Sequence, residues 1–203
     1  MHELLLIAKD AAKAAGVEIL KYYKQKVSFF HKSDGSPISL ADKAAHIAIC
    51  QKLSTTNIVV VSEEGDDLHV DAVEYWLVDP LDGTKDFLAA NDEFTVNIAL
   101  IRNGEPILGV IYAPAFDHLY WGMEGLGVGL EVRGSLVEIS SIPKRSQMRM
   151  SVSRFHDHED VSKFADDNGI DERIPIGSAL KYVLLAIGEA DVSPRLVGSS
   201  EWD

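Results

Sequence analysis

The sequence predicts a mixed α/β fold in which helices precede a largely antiparallel set of strands. Three observations carry that expectation: apolar residues at helical spacing over the first fifty positions, short β-branched runs between residues 57 and 132 joined by turn signals, and a return to alternating strand and helix beyond residue 145. A chain of 203 residues can bury one good core or two small ones, and 46% hydrophobic with 25% charged residues is the balance of a globular protein. Disorder and fibre are thereby excluded as overall classes.

From Glu3 to about Tyr23, apolar residues at Leu4, Ile7, Ala8, Ala11, Ala15 and Ile19, with lysines opposite, predict an amphipathic helix packed on a core. "HKSDGSPISLAD" supplies turn residues and Ser39, a candidate cap for a second helix running through Ala44, Ile47 and Ile49 to about Leu53, with Asp42 in its first turn. "NIVVVSEEG" and "EYWLVDP" read as two buried strands, each ending in acid. "EFTVNIALIRNGEPILGVIYAP" reads as a hairpin turning over Arg102–Glu105, and "HLYWGMEGLGVGLEV" adds further short strands. Beyond "SSIPKRSQ" come a strand "MRMSVS", a helix over Glu159–Asn168, a short run "RIPIG" and a helix over Ser178–Ile187. That change of texture predicts two units, residues 1–145 and 146–203. The acid-rich stretches from Glu63 to Glu74 and from Asp157 to Glu172 read as solvated faces, Glu63 excepted.

The formal charge of −13 argues against binding DNA or RNA as a polymer, because an acidic surface repels the phosphate backbone. A small phosphorylated ligand remains compatible if metal ions screen its site. Cys50 is the only cysteine, so no internal disulfide can form. The N-terminal apolar run is too short for a signal peptide, and no segment is long and apolar enough to be a transmembrane helix. The expectation is a cytoplasmic protein; attachment to the inner face of a membrane and the oligomeric state are left open.

The stretch "YWLVDPLDGTKDF" concentrates the chemistry. Acids at the end of a buried strand are tolerated when something pairs their charge. Pro80 holds Asp79 extended, and Gly83 permits a sharp bend before Thr84 begins a helix. Asp79, Asp82 and the Leu81 carbonyl can then converge. Such hard oxygen ligands suit magnesium, and the helix start aims free N–H groups at a phosphate. The competing reading is a tight Asp82-Gly83 turn with Asp79 as a helix cap. Glu63, ending the neighbouring strand, and Asp203 in "EWD" weigh against it, because three separated carboxylate motifs are what two-metal phosphoryl hydrolysis requires.

Together, "SEEG" at Ser62–Gly65, "DPLDGTKDF" at Asp79–Phe87, "GEPILGVIYAP" at Gly104–Pro114 and "EWD" at Glu201–Asp203 resemble the inositol monophosphatase superfamily of magnesium-dependent, lithium-sensitive phosphatases. "KSDGSPISLAD", Lys85, "EFTVNIAL", "SVSR", "GSALK" and Pro194-Arg195 are most similar to bacterial 3'(2'),5'-bisphosphate nucleotidases of the CysQ type, which act on adenosine 3',5'-bisphosphate in sulfur metabolism. The resemblance implies a layered α+β sandwich with a smaller C-terminal α/β domain that recognises substrate. It implies that Glu63, Asp79 and the Leu81 carbonyl hold a first magnesium, that Asp79, Asp82 and Asp203 hold a second, and that a third, weaker ion binds near Glu63. The attacking water would lie on the first ion, hydrogen-bonded by Thr84 and Glu63, with Asp42 orienting the Thr84 hydroxyl. Gly83 and Thr84 would receive the scissile phosphate. Ser178, Lys181 and Arg195 would hold the other phosphate and the sugar.

Taken singly, Asp42 reads equally as a helix N-terminal charge, Lys181 and Arg195 as surface charge, and His156 and His158 as surface histidines. Family chains continue past the "WD" pair, so a truncated chain with a frayed Asp203 is expected. Three alternatives stand beside this reading. The same fold could act on inositol phosphates or fructose bisphosphate. An inactive metal- or nucleotide-binding module is the reading from another class. A haloacid-dehalogenase-type phosphatase is disfavoured because two residues, Pro80 and Leu81, separate the aspartates where that chemistry has one.

Overall fold

Small side chains at helical spacing let two helices lie close together on one sheet. In the computed structural model, which describes residues 1–24, 29–31, 37–65, 71–139, 146–155, 159–196, 198 and 200–202, α1 (His2–Tyr22) buries Leu5, Ala8, Ala11, Ala12, Ala15, Gly16 and Ile19. A Cβ on Gly16 would fall 2.4 Å from the Tyr112 ring, so glycine is what allows α1 to reach the sheet. Two short strands, β1 (Phe29–His31) and β2 (Pro37–Ser39), pair antiparallel before α2 (Leu40–Leu53). The buried face of α2 is Ala41, Asp42, Ala45, Ile49 and Leu53. Ile47 is 56% exposed, because the core stripe follows the i, i+4 row from Ala41.

The strands of the large sheet are β3 (Val59–Ser62), β4 (Glu74–Asp82), β5 (Thr95–Arg102), β6 (Glu105–Ala113), β7 (His118–Met123), β8 (Gly127–Val132) and β9 (Ser135–Val137), hydrogen-bonded in that order; α3 (Thr84–Ala89) leaves β4 toward β5. Only β3 and β4 are parallel. The β5–β6 hairpin turns on Asn103 and Gly104, at φ 54° and 80°, the two left-handed residues of a tight hairpin. Trp76, Val78, Val96, Ile98 and Leu100 face α1 and α2, while Leu77, Ala99 and Ile101 face the other way. The sheet alternation thus gives β4 and β5 a helix-covered face and an opposite face.

On that opposite face, β10 (Arg149–Ser153), α4 (Glu159–Asp167), β11 (Glu172–Ile176) and α5 (Leu180–Ala186) follow, with β10 and β11 parallel. Leu180 and Val183 of α5 pack with Ala113, Ile111 and Tyr120 of the sheet. The expected strands and helices appear in order; the β1–β2 pair falls where only turn residues were read, and α5 begins at Leu180 because Ser178, at φ 53°, is in a left-handed conformation. The expected division between residues 145 and 146 borders residues 140–145, which lie outside those described. No helix among the described residues is long and apolar enough to cross a membrane.

Two lysines of α1 share one carboxylate of the sheet. Lys9 and Lys13 donate to the two oxygens of Glu131 on β8 at 2.7 and 2.9 Å, and the Lys9 ammonium also sits 4.4 Å from the Trp121 ring. Burial pushes the Glu131 carboxyl up, but the hydrogen bonds from Lys9 and Lys13 outweigh it and hold it below the ordinary carboxylate value. A lowered carboxylate stabilises the fold above its unfolded pKa and ceases to do so as pH falls through the folded one. Glu131→Gln is therefore expected to lower stability by about 1 kcal/mol at pH 7. Urea unfolding at a series of pH values should show the difference disappearing on acidification.

Candidate active site

Residues three apart on a regular strand point to opposite faces, so Asp79 and Asp82 should not meet. They do because β4 carries an extra residue: Asp79 pairs with Asn97 and Asp82 with Thr95, three steps on β4 against two on β5. The bulge falls at Pro80–Leu81, where proline's missing N–H leaves no donor unpaired. Its consequence is a change of parity. The Leu81 side chain turns into the helix-side core, 1% exposed, and Asp82 joins Asp79 on the other face.

The parallel pairing of β3 with β4 then delivers Glu63. Ser62 lies opposite Val78, and the Glu63 N–H donates to the Val78 carbonyl at 3.0 Å, one residue before Asp79. Asp42 arrives from the first turn of α2. Asp79 is 2% exposed, and burial first, then the charges of Asp82, Glu63 and Asp42 in that order, push its carboxyl well above the usual range. The Leu81 N–H, donating to Asp79 Oδ1 at 3.0 Å, opposes that shift. Sequence-predicted Asp42, Glu63, Asp79 and Asp82 are thus one electrostatic unit.

Asp82 is held by donors from both directions. Its Oδ2 accepts Ala179 N–H at 2.5 Å, Asn97 Nδ2 at 3.3 Å and Thr95 Oγ1 at 3.4 Å. Gly83, at φ 84°, turns the chain into α3, and the Thr84 hydroxyl donates to the Leu81 carbonyl at 3.3 Å. Ser178 is buried against Gly83, and its carbonyl accepts the Lys181 ammonium at 2.6 Å. Burial pushes the Asp86 carboxyl up, against smaller opposing effects of Asn91, Arg154 and, least, Lys181. Arg195 is exposed and donates to the Gly198 carbonyl at 3.1 Å, within its own segment. Asp203, His156 and His158 lie outside the described residues.

Several participants carried no local signal. Thr95 and Asn97 are marked only by register with the bulged strand. The Asn97 Oδ1 is buried without a hydrogen-bond partner among the described residues. His46 Nδ1 lies 2.8 Å from the Ser62 hydroxyl, behind Glu63. Beside the site, a cleft of about 560 Å³ runs along the outer face of β4–β6 to Gly104 and Pro106. It is mostly apolar, and Asn97, Ala179, Glu201 and Trp202 are among its lining residues.

Among the described residues no three His, Cys, Asp or Glu side chains are placed to hold a metal ion between them. The donor set nonetheless fits a hard cation. It consists of carboxylates, a carbonyl and an uncommitted amide oxygen, around a buried acid whose charge its neighbours penalise.

The whole chain, residues 1–203, matches the inositol monophosphatase family model. It is 38% identical to the 3'(2'),5'-bisphosphate nucleotidase CysQ of Salmonella typhimurium over 95% of this chain and 80% of that protein. The Escherichia coli K12 protein of the same name shows the same identity and coverage. The crystal structure of CysQ from Bacteroides thetaiotaomicron superposes with a TM-score of 0.87 at 35% identity, covering 99% of this chain and 82% of that one.

The raised Asp79 carboxyl sets a testable sign. Folding favours its protonated form, so its contribution is favourable at acidic pH and is lost as pH rises toward the folded pKa. Asp79→Asn removes that penalty while keeping an oxygen for the Leu81 N–H. In metal-free buffer the variant is expected to melt above wild type at pH 7, with the gap closing toward about pH 3, as calorimetry would show.

Proposed function

Because the chain belongs to the inositol monophosphatase family, we propose that it is a magnesium-dependent phosphatase that removes the 3'-phosphate of adenosine 3',5'-bisphosphate in the cytoplasm. The observation that carries the reading is the bulge that gathers Asp79 and Asp82 beside Glu63 and Asp42. The names of the relatives, at 38% identity over nearly the whole chain, direct the substrate choice.

Glu63, Asp79 and the Leu81 carbonyl would hold one magnesium, and Asp79, Asp82 and Asp203 another. Magnesium held there would lower the pKa of a water and neutralise charge growing on the leaving oxygen. The chain's own groups do the positioning that in-line phosphoryl transfer needs. Glu63 and the Thr84 hydroxyl would hydrogen-bond the attacking water and orient it, with Asp42 orienting that hydroxyl. The Thr84 hydroxyl rests on the Leu81 carbonyl at 3.3 Å, at the edge of hydrogen-bonding reach, so a better acceptor can recruit it. The N–H groups of Gly83 and Thr84 take the phosphate.

The unit of residues 146–203 supplies substrate recognition. Ser178 stands against Gly83, and Lys181 lies one helical turn further, close enough to act on Asp86. With Arg195, exposed in the same unit, they would supply donors for the second phosphate and the ribose. Two anionic groups on one ligand need such donors outside the metal cluster.

The deciding experiment measures phosphate release from adenosine 3',5'-bisphosphate and from inositol 1-phosphate, side by side, with magnesium, without it, and with added lithium. Magnesium-dependent, lithium-inhibited release from the nucleotide is expected. Preference for the inositol ester reassigns the substrate, and release from neither overturns the reading. Asp82→Asn is expected to reduce turnover roughly 100-fold or more with an unchanged circular dichroism spectrum; full activity in that variant would remove Asp82 from the site.

A further inference from the structure

The loop that follows Asp82 is clasped between two parts of the chain distant in sequence. On one side, Tyr23, Phe87 and Phe94 form an aromatic trio with centroids 4.7–5.3 Å apart. The Tyr23 hydroxyl donates to Asp92 Oδ1 at 2.5 Å and accepts the Asp92 N–H at 2.8 Å. On the other side the Gly177–Ala179 turn presses on the loop without slack. A Cβ on Gly83 would meet the Glu93 carbonyl at 3.0 Å and Ser178 Cβ at 3.1 Å, and one on Gly177 would fall 2.3 Å from the Asp86 carboxyl.

One carboxylate fastens this contact. Glu93 Oε2 accepts the Gly177 N–H at 2.8 Å and Arg154 Nε at 2.7 Å, while Oε1 accepts Arg154 Nη2 at 2.5 Å. Arg154 Nη2 also donates to the Pro175 carbonyl at 2.8 Å. A bidentate arginine pair fixes angle as well as distance, and here it locks the ends of β10 and β11 to the loop ahead of β5. Two residues beyond Gly177, the Ala179 N–H reaches Asp82 Oδ2. Ser178 between them sits at φ 53°, a conformation that persists only where surroundings impose it.

We propose that Glu93 and Arg154 form a positioning pair that sets the Gly177–Ala179 turn, and through its N–H the Asp82 carboxylate, in the posture for binding metal. The inference rests on the reading that Asp82 is a metal ligand. Arg154 reaches neither metal nor substrate in this role. It acts through a hydrogen bond to a ligand, and losing such outer partners typically weakens metal binding 10–100-fold.

The test is Mn2+ affinity, followed by electron paramagnetic resonance on the substrate-free protein. Arg154→Met is expected to weaken binding about 10-fold, and Arg154→Lys to recover part of the loss, because a lysine keeps the charge but not the fork. Glu93→Gln retains an oxygen for the Gly177 N–H while neutralising the pair, and provides a second variant should Arg154→Met not fold; a loss of several-fold is expected. Unchanged affinity in variants that unfold cooperatively overturns the proposal. Wild-type protein that binds no Mn2+ overturns the metal reading of the site and this inference with it.

Discussion

A single extra residue in β4 organises the site. Without the bulge at Pro80–Leu81, Asp79 and Asp82 would face opposite sides of the sheet, one of them into the core beneath α1 and α2. With it, the apolar side chain between them becomes the anchor: Leu81 is driven into that core and its carbonyl is left among the acids. The left-handed Gly83 and the start of α3 follow, because the chain must leave the sheet where its parity has changed.

The fold sustains this arrangement against an electrostatic penalty. Asp79 is nearly dehydrated among three other carboxylates, a local inconsistency that foldable sequences avoid away from functional sites. The compensation is apolar. Trp76 and Val78 are fully buried in the strand that carries the acid, and β5 opposite presents Val96, Ile98 and Leu100 to the same core. Backbone strain gathers nearby as well, with Ala90 and Asp92 at φ 55° and 72° in the loop that returns from α3 to β5. The aromatic trio and the Glu93–Arg154 pair brace that loop from its two sides.

Elements with a local signature were legible in the sequence. Asn103-Gly104 announces its hairpin, the acids at the ends of two β-branched runs announce the site, and the helical spacing of α1 is unambiguous. The buried stripe of α2 rests on small residues at Ala41 and Ala45, which close packing against α1 needs, while the more apolar Ile47 stays exposed. The bulge is invisible in the sequence because it is defined by the partner strand. The bonds joining the two halves span 61 residues for Arg154 to Glu93 and 97 for Ala179 to Asp82, beyond any local pattern. Lys181 was read as a phosphate donor; here its ammonium donates to the Ser178 carbonyl just ahead of α5, a contact between neighbours that its sequence position did not announce.

In the proposed reaction, Asp82 is where the chemistry and the choice of substrate would meet. One oxygen accepts donors from β5, through Thr95 and Asn97, and from the start of α5, through Ala179. Ser178 and Lys181 flank Ala179 within three positions, so a ligand that draws on them also pulls on the N–H that aims Asp82. In the proposed reaction, recognition of the remote phosphate would therefore register on a residue of the metal cluster. A substrate lacking that phosphate would lose turnover as well as affinity, which is how binding energy remote from the reacting bond is converted into rate.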